Sequence, residues 1–293
     1  MHKYLRAIGL SNYKTRKEVN DLLRFVVANA EDRMYTTNGD EALFSEYRKE
    51  FAEGVGIAVR GEYDEENRFT MDYYFPYCIG HEISSTEDIN VERHAACESY
   101  AGVCDDVKMG VSLIFYLQNV VPYLKIKNSD QLPVRGTSLV LSALSLAGTV
   151  MMPIQKNEAD RKKTKKASFN RNQLIDAARR GDEEAIESLT LEDMDMYSAI
   201  SRKILKEDVF TLVDTYFMPY GVECDQYSIL GEITGLQAIT NKMTKEEMYL
   251  MTVFCNEISF DVCINKMDLL GEPAVGRRFK GIIWLQGFIN FPE

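Results

Sequence analysis

The strongest constraint on this chain is that the order of its second half echoes the order of its first. Residues 56–74 read GIAVRGEYDEENRFTMDYY and are followed by KMGVSLIFYLQNVV at 108–121. Towards the C-terminus DQYSILGEITGLQAIT (225–240), MYLMTVFCNEISFDVCIN (248–265) and RFKGIIWLQGFINF (278–291) come in the same order. The closest match in letters sets Phe115-Tyr116-Leu117-Gln118 against Ile283-Trp284-Leu285-Gln286. A repeated order restricts the architecture to paired units, and paired units can hold a site between them.

Each half is read as a strand, a helix and three antiparallel strands, over 3–121 and 194–291. KYLRAIGL (3–10) has strand composition. Val19, Leu22, Leu23, Val26 and Val27 recur at helical spacing, with Asn12 or Thr15 available as a cap. Phe44 to Glu53 reads as helix, and Gly54 and Gly56 open an extended run to Tyr63. DEEN (64–67) then turns into a half-buried strand in which Phe69, Met71, Tyr73 and Phe75 alternate with polar residues. Residues 78–106 form a long polar excursion, Met109–Val121 is a strand, and Gly136–Ile154 gives two strands around Ala147-Gly148. Asp208–Met218 reads as a helix stopped by Pro219 and Gly221. The expected fold class is α+β, with an N-terminal half (1–154), a charged linker and helix (155–190) and a C-terminal half (191–293).

The linker is set apart by charge. Lys156–Arg180 carries nine basic and three acidic residues, including RKKTKK at 161–166, whereas Gly181–Phe210 carries nine acidic and three basic. Helices are expected on both sides of Gly181. The whole chain has a net charge of −11, which disfavours a general nucleic-acid or anionic-membrane binder. The longest apolar stretch, Leu139–Ile154, is broken by Ser142, Ser145, Gly148 and Thr149 and is too short to span a bilayer. The opening MHKYLRAIGLSNYK lacks the apolar core of a secretory signal, so the expected location is the cytoplasm. None of the six cysteines forms a C-x-x-C pair. They read as free core thiols, with Cys255 and Cys263 on one face of an unbroken strand.

Four groups of residues are candidates for function. His81 with Glu82, and His94 with Glu98 at i, i+4, could serve as metal ligands or an acid–base pair, although no zinc signature is completed and no metal is expected. Arg277, Arg278 and Lys280 leave the glycine-rich loop GEPAVG as three cations suited to a carboxylate or phosphate. Tyr73, Tyr74 and Tyr77, and then Tyr216 and Tyr220, stand beside prolines as a possible ligand or interface surface. RKKTKK could contact an anionic polymer, but charge runs are most often solvated linkers. A Ser–His–Asp order, a dinucleotide fingerprint and a P-loop are all missing from the sequence.

DTYFMPYGVECDQYSILGEI (214–233) and GEPAVGRRFKGIIWLQGFINF (271–291) resemble an uncharacterised family from anaerobic Gram-positive bacteria, catalogued as a domain of unknown function. The resemblance covers essentially the whole chain. It implies a bacterial cytoplasmic protein and brings no activity or cofactor with it. The paired module order is also similar, in topology alone, to the vicinal oxygen chelate superfamily of glyoxalase-like enzymes. That plan implies a metal-binding His in the first strand and a Glu in the last strand of each module. Here those places hold Ala7, Ser198 or Ala199, and Tyr116, Gln118, Trp284 and Gln286. The functional expectation is a non-catalytic module, without a cofactor, binding a small anionic ligand or a protein. The alternative is an enzyme with a site between the halves on a diverged glyoxalase-like scaffold.

Overall fold

The computed structural model describes residues 2–37, 43–93, 99–106, 109, 111–154, 170–171, 173–204 and 213–292. Helix α1, Arg16–Ala28, starts where the sequence supplies a complete capping box. The Thr15 hydroxyl accepts the Glu18 N–H at 3.2 Å. In return the Glu18 carboxylate accepts the Thr15 N–H at 2.9 Å. Its apolar stripe of Val19, Leu22, Leu23 and Val26 is buried. The segment before it, Lys3–Ile8, is a 3-10 helix and not a strand. It closes on Gly9 in the left-handed region, at φ 73°, where glycine pays no Cβ penalty.

Four strands follow as an antiparallel meander: β1 (Asp32–Thr37), β2 (Leu43–Ala52), β3 (Val55–Tyr63) and β4 (Phe69–Cys78). The expected β3–β4 hairpin is present. Its turn is held by Asp64, whose carboxylate accepts the N–H groups of Glu66 and Arg68. Asn67 completes the turn in the left-handed region. The helix expected over 44–53 is strand β2 instead. Glu46 and Arg48 sit inside the fold, so the strand lacks the apolar-in, polar-out alternation that identifies one. The polar excursion contains two strands, β5 (Ile89–Arg93) and β6 (Tyr100–Cys104). Next come β7 (Leu113–Leu117), helix α2 (Val120–Asn128) and β8 (Ser138–Met151). The last is a single 14-residue strand where two were expected. Residues 173–179 and α3 (Glu183–Ile204) are helical on either side of Gly181, as expected, but α3 continues through 194–204, where the second half was expected to open on a strand. The Asp182 carboxylate caps α3 through the N–H groups of Glu184 and Ala185.

The C-terminal part contributes β9 (Tyr216–Pro219), β10 (Gln226–Thr240), β11 (Glu247–Cys255), β12 (Ile258–Asn265), β13 (Leu269–Leu270) and β14 (Arg278–Asn290). Residues 216–218 are thus strand and not the end of a helix. Strands β11 and β12 are two strands, joined by Asn256 and Glu257, which both adopt positive φ. The unbroken strand expected to place Cys255 and Cys263 on one face does not form. Cys255 faces one hydrophobic core and Cys263 the other.

Pairing closes five strands into a ring, β8–β12–β11–β10–β14–β8, which makes a small barrel. Strand β8 runs antiparallel to β14 over most of its length and parallel to β12 across residues 142–145. Beyond the start of β10, the free edge of β14 is taken by β7 in parallel, which carries β6 and β5 with it. Alternation along the staves divides the interior. Phe260, Val262 and Ile264 of β12 fill the first core with Phe279, Ile283 and Leu285. Cys263, Leu144 and Trp284 face outward into a second core, against α1, the 3-10 helix and the four-stranded meander. The FYLQ and IWLQ segments lie side by side, Tyr116 opposite Gln286. The first half opens on a 3-10 helix, a helix and then four strands, not on the strand–helix–three-strand order of the chelate plan. Among the described residues, no helix is long and apolar enough to cross a membrane.

Candidate functional site

Where the meander lies on the barrel, the contact contains buried charge. Arg60 of β3 is fully buried and donates through Nε to Glu46 Oε2 at 2.5 Å, through Nη1 to the Tyr116 hydroxyl at 2.9 Å and through Nη2 to the Gln118 carbonyl at 2.7 Å. Arg48 donates to the other Glu46 oxygen and to the same Gln118 carbonyl, both at 2.7 Å. Burial alone would raise the Glu46 carboxyl, but the two guanidinium groups outweigh it and hold it below the ordinary carboxylate value. The glutamines of the echoed motif complete the layer. Gln118 Nε2 donates to Gln286 Oε1 at 2.8 Å, and Gln286 Nε2 donates to the Pro76 carbonyl at 2.8 Å. This network fastens the meander to β7 and β14, and its donors are used up inside the fold.

His81 lies in the segment after β4, where Gly80 lets the backbone pass close to β8. A Cβ at Gly80 would stand 2.6 Å from the Leu141 carbonyl oxygen. That approach sets His81 over Asp261 of β12. Asp261 Oδ2 accepts the His81 backbone N–H at 2.9 Å and pairs with Nδ1 at 2.7 Å, while Oδ1 accepts the Thr252 hydroxyl at 2.7 Å. The aspartate side chain is 3 % exposed and the imidazole 58 %. A buried carboxylate on Nδ1 fixes the ring and leaves Nε2 towards solvent, an arrangement suited to accepting a proton or joining a metal ligand set. Glu82 is its exposed neighbour. His94 and Glu98 lie outside the described residues, as do the RKKTKK segment and Cys97. Among the described residues, no group of three or more His, Cys, Asp or Glu could hold a metal ion.

The cationic loop reaches the edge of β14. Arg278 is buried and donates to the carbonyls of Met152 at 3.1 Å and Val213 at 3.0 Å. Burial lowers its pKa, and Asp214 partly offsets this. Arg277 donates to the Glu272 carbonyl at 2.6 Å, bracing its own loop. Lys280 is half-buried on the same strand face as Arg278.

The tyrosines divide between two elements. Tyr73 is on β4 with its ring 6.1 Å from Tyr116, and Tyr77 is buried with Arg48 5.3 Å from its ring centre. The Tyr74 hydroxyl accepts the His2 backbone N–H at 2.9 Å. Tyr216 is half-buried on β9 and Tyr220, just beyond it, is exposed. The first set is largely packing and the second is edge surface.

The His2 ring lies tilted against Trp284, centroids 4.8 Å apart, with Tyr4 stacked on the same indole at 5.1 Å. Burial, with the N-terminal amine and Lys3 adding to it, lowers the His2 pKa from 6.5 to about 4. The unfolded chain takes up this proton near 6.5, while the folded chain resists it until about 4. The associated stability is therefore complete above the first value and lost as pH falls through the second, by about 3 kcal/mol. Urea midpoints across that window should fall less steeply for His2→Phe than for the parent protein. Equal slopes would remove His2 as the cause.

An open groove of about 510 Å³ lies between α1 and the β3–β4 hairpin. Its rim is Arg16, Asn20 and Arg24, spaced i, i+4, i+8 on one face of α1. Its floor is Leu23 and Val27 of the helix with Phe69 and Met71 of β4. The Phe69 ring is held edge-on by Tyr47 at 5.0 Å, so the wall is preformed. Arg24 has Asp21 at 3.6 Å, whereas the Arg16 and Asn20 side chains have no partner among the described residues. The rim spacing stands in the sequence; the Phe69 wall, supplied by a distant strand, does not.

A model for a domain of unknown function, described from an E. rectale gene (DUF3881), matches residues 5–287. No curated protein and no solved structure matches the chain.

Proposed function

The chain belongs to the DUF3881 family, and within it we propose a non-catalytic small-molecule-binding module whose ligand occupies the groove on α1. One contrast carries the reading. Arg48, Arg60, Arg278 and Gln286 have their donors committed to groups inside the fold, while Arg16 and Asn20 stand uncommitted above an apolar floor. The volume lies in the range of small-ligand sites, and a few polar groups over an apolar lining is their usual make-up. A thermal-shift screen of small organic acids, amines and neutral compounds tests it. A subset should raise the melting temperature through linkage, and Ala28→Trp, which puts an indole where Ala28 lines the groove at the end of α1, should abolish the rise. Hits that stabilise Ala28→Trp equally would place the site elsewhere.

A second reading, an enzyme acting between the two halves, is favoured by His81 and Asp261. They come from opposite halves and meet with the imidazole Nε2 left open. In that reading His81 accepts a proton from a substrate or water. Release of p-nitrophenol from p-nitrophenyl acetate, compared between the parent protein and His81→Gln, tests it; equal rates remove the dyad.

A further inference from the structure

Resting on the groove reading, we infer that the ligand is a small monocarboxylate with an apolar tail, its head held by Arg16 and Asn20 and its tail along Phe69 and Val27. Positive charge is concentrated around the start of α1. Between Lys14 and Arg24 the sequence carries four cations (Lys14, Arg16, Lys17, Arg24) and two anions (Glu18, Asp21), on a chain whose total is −11. Both anions are engaged, Glu18 with the backbone of Lys14 and Thr15 and Asp21 with Arg24. The Arg16 fork and the Asn20 amide, one turn apart, offer donors matched to the two oxygens of a carboxylate. Arg16 is also the first residue of α1, where the helix dipole favours a negative head.

The remaining rim and floor select the tail. Arg24 stands roughly 12 Å along the axis from Arg16, so a single small head cannot engage both. The groove floor offers half-buried Val27 and Phe69 and exposed Met71, apolar surface that a tail would take out of water. A hydrophilic anion leaves that floor uncovered, and a neutral amphiphile leaves Arg16 unpaired.

Calorimetric titration with decanoate below its micelle concentration tests the assignment, with decanol and acetate as controls. Decanoate should bind at least tenfold more tightly than either control. Arg16→Glu should weaken it a further tenfold or more, and the milder Arg16→Gln should weaken it less. Equal binding of decanol, or undiminished binding to both Arg16 variants, overturns the assignment. Co-sedimentation with phosphatidylglycerol vesicles beyond that with phosphatidylcholine would make the groove a membrane contact and would also overturn it. Failure of decanoate alongside groove-dependent hits in the wider screen defeats this ligand class alone. Failure of every compound defeats the binding reading beneath it.

Discussion

Glu46→Ala is expected to lower folding stability by about 3–5 kcal/mol, measured by urea unfolding. Glu46 is fully buried and shared by two arginines, one itself fully buried. Its removal leaves two guanidinium groups sharing the Gln118 carbonyl, with the Tyr116 hydroxyl on Arg60, and no counter-charge. The cost arises from the orphaned charges and not from the absolute strength of the pairs. Replacing all three residues together, as Glu46→Leu, Arg48→Met and Arg60→Met, should therefore be far less damaging than the single change. A loss under about 1 kcal/mol for Glu46→Ala would show that water reaches the cluster and screens it.

Phe115→Ala is the second large expected loss, about 3–5 kcal/mol, because removing a buried ring leaves a cavity. The ring is fully buried and fits its site because glycines flank it on both neighbouring strands. A Cβ at Gly102 of β6 would stand 2.1 Å from its Cζ, and one at Gly287 of β14 would stand 2.3 Å from its Cδ2. Gly287→Ala should thus cost about 1–3 kcal/mol by overpacking. In the Phe115→Ala background the same change should cost little, since the obstacle is gone. Additive losses in this cycle would mean that the glycine is needed for backbone reasons and not to make room for the ring.

Much of the fold was legible where local chemistry is decisive. The Thr15–Glu18 box with the spacing of Val19 to Val26, the Asp64 turn, and the strands at 226–240 and 278–290 follow from signals within a few residues. The errors have physical causes. Strand β2 was hidden because Glu46 and Arg48 point into a polar interior. The β11–β12 turn was hidden because Asn256-Glu257 adopts positive φ without a glycine. Barrel closure was hidden because β8 meets its partners far later in the chain, which periodicity does not encode. At the candidate sites His81 was visible, but Asp261, 180 positions away, was not. The FYLQ and IWLQ segments are neighbours, with Gln118 hydrogen-bonded to Gln286, a contact that their likeness in sequence did not foretell.

The closure of the barrel has a cost in time. Strand β8, SLVLSALSLAGTVM, carries no charged residue. It ends at Met151, whereas its main partner β14 is complete only at Asn290. At about 5–20 residues per second, a separation of about 140 residues leaves this stave without its main partner on the ribosome for roughly 7–28 s. During that interval it is a long, uncharged strand edge, the kind of segment that associates with other chains. A chain truncated before Arg278 is therefore expected to be insoluble when expressed, and Val140→Lys on β8 to restore its solubility. A soluble truncation would show that something else shields the strand until its last neighbour is made.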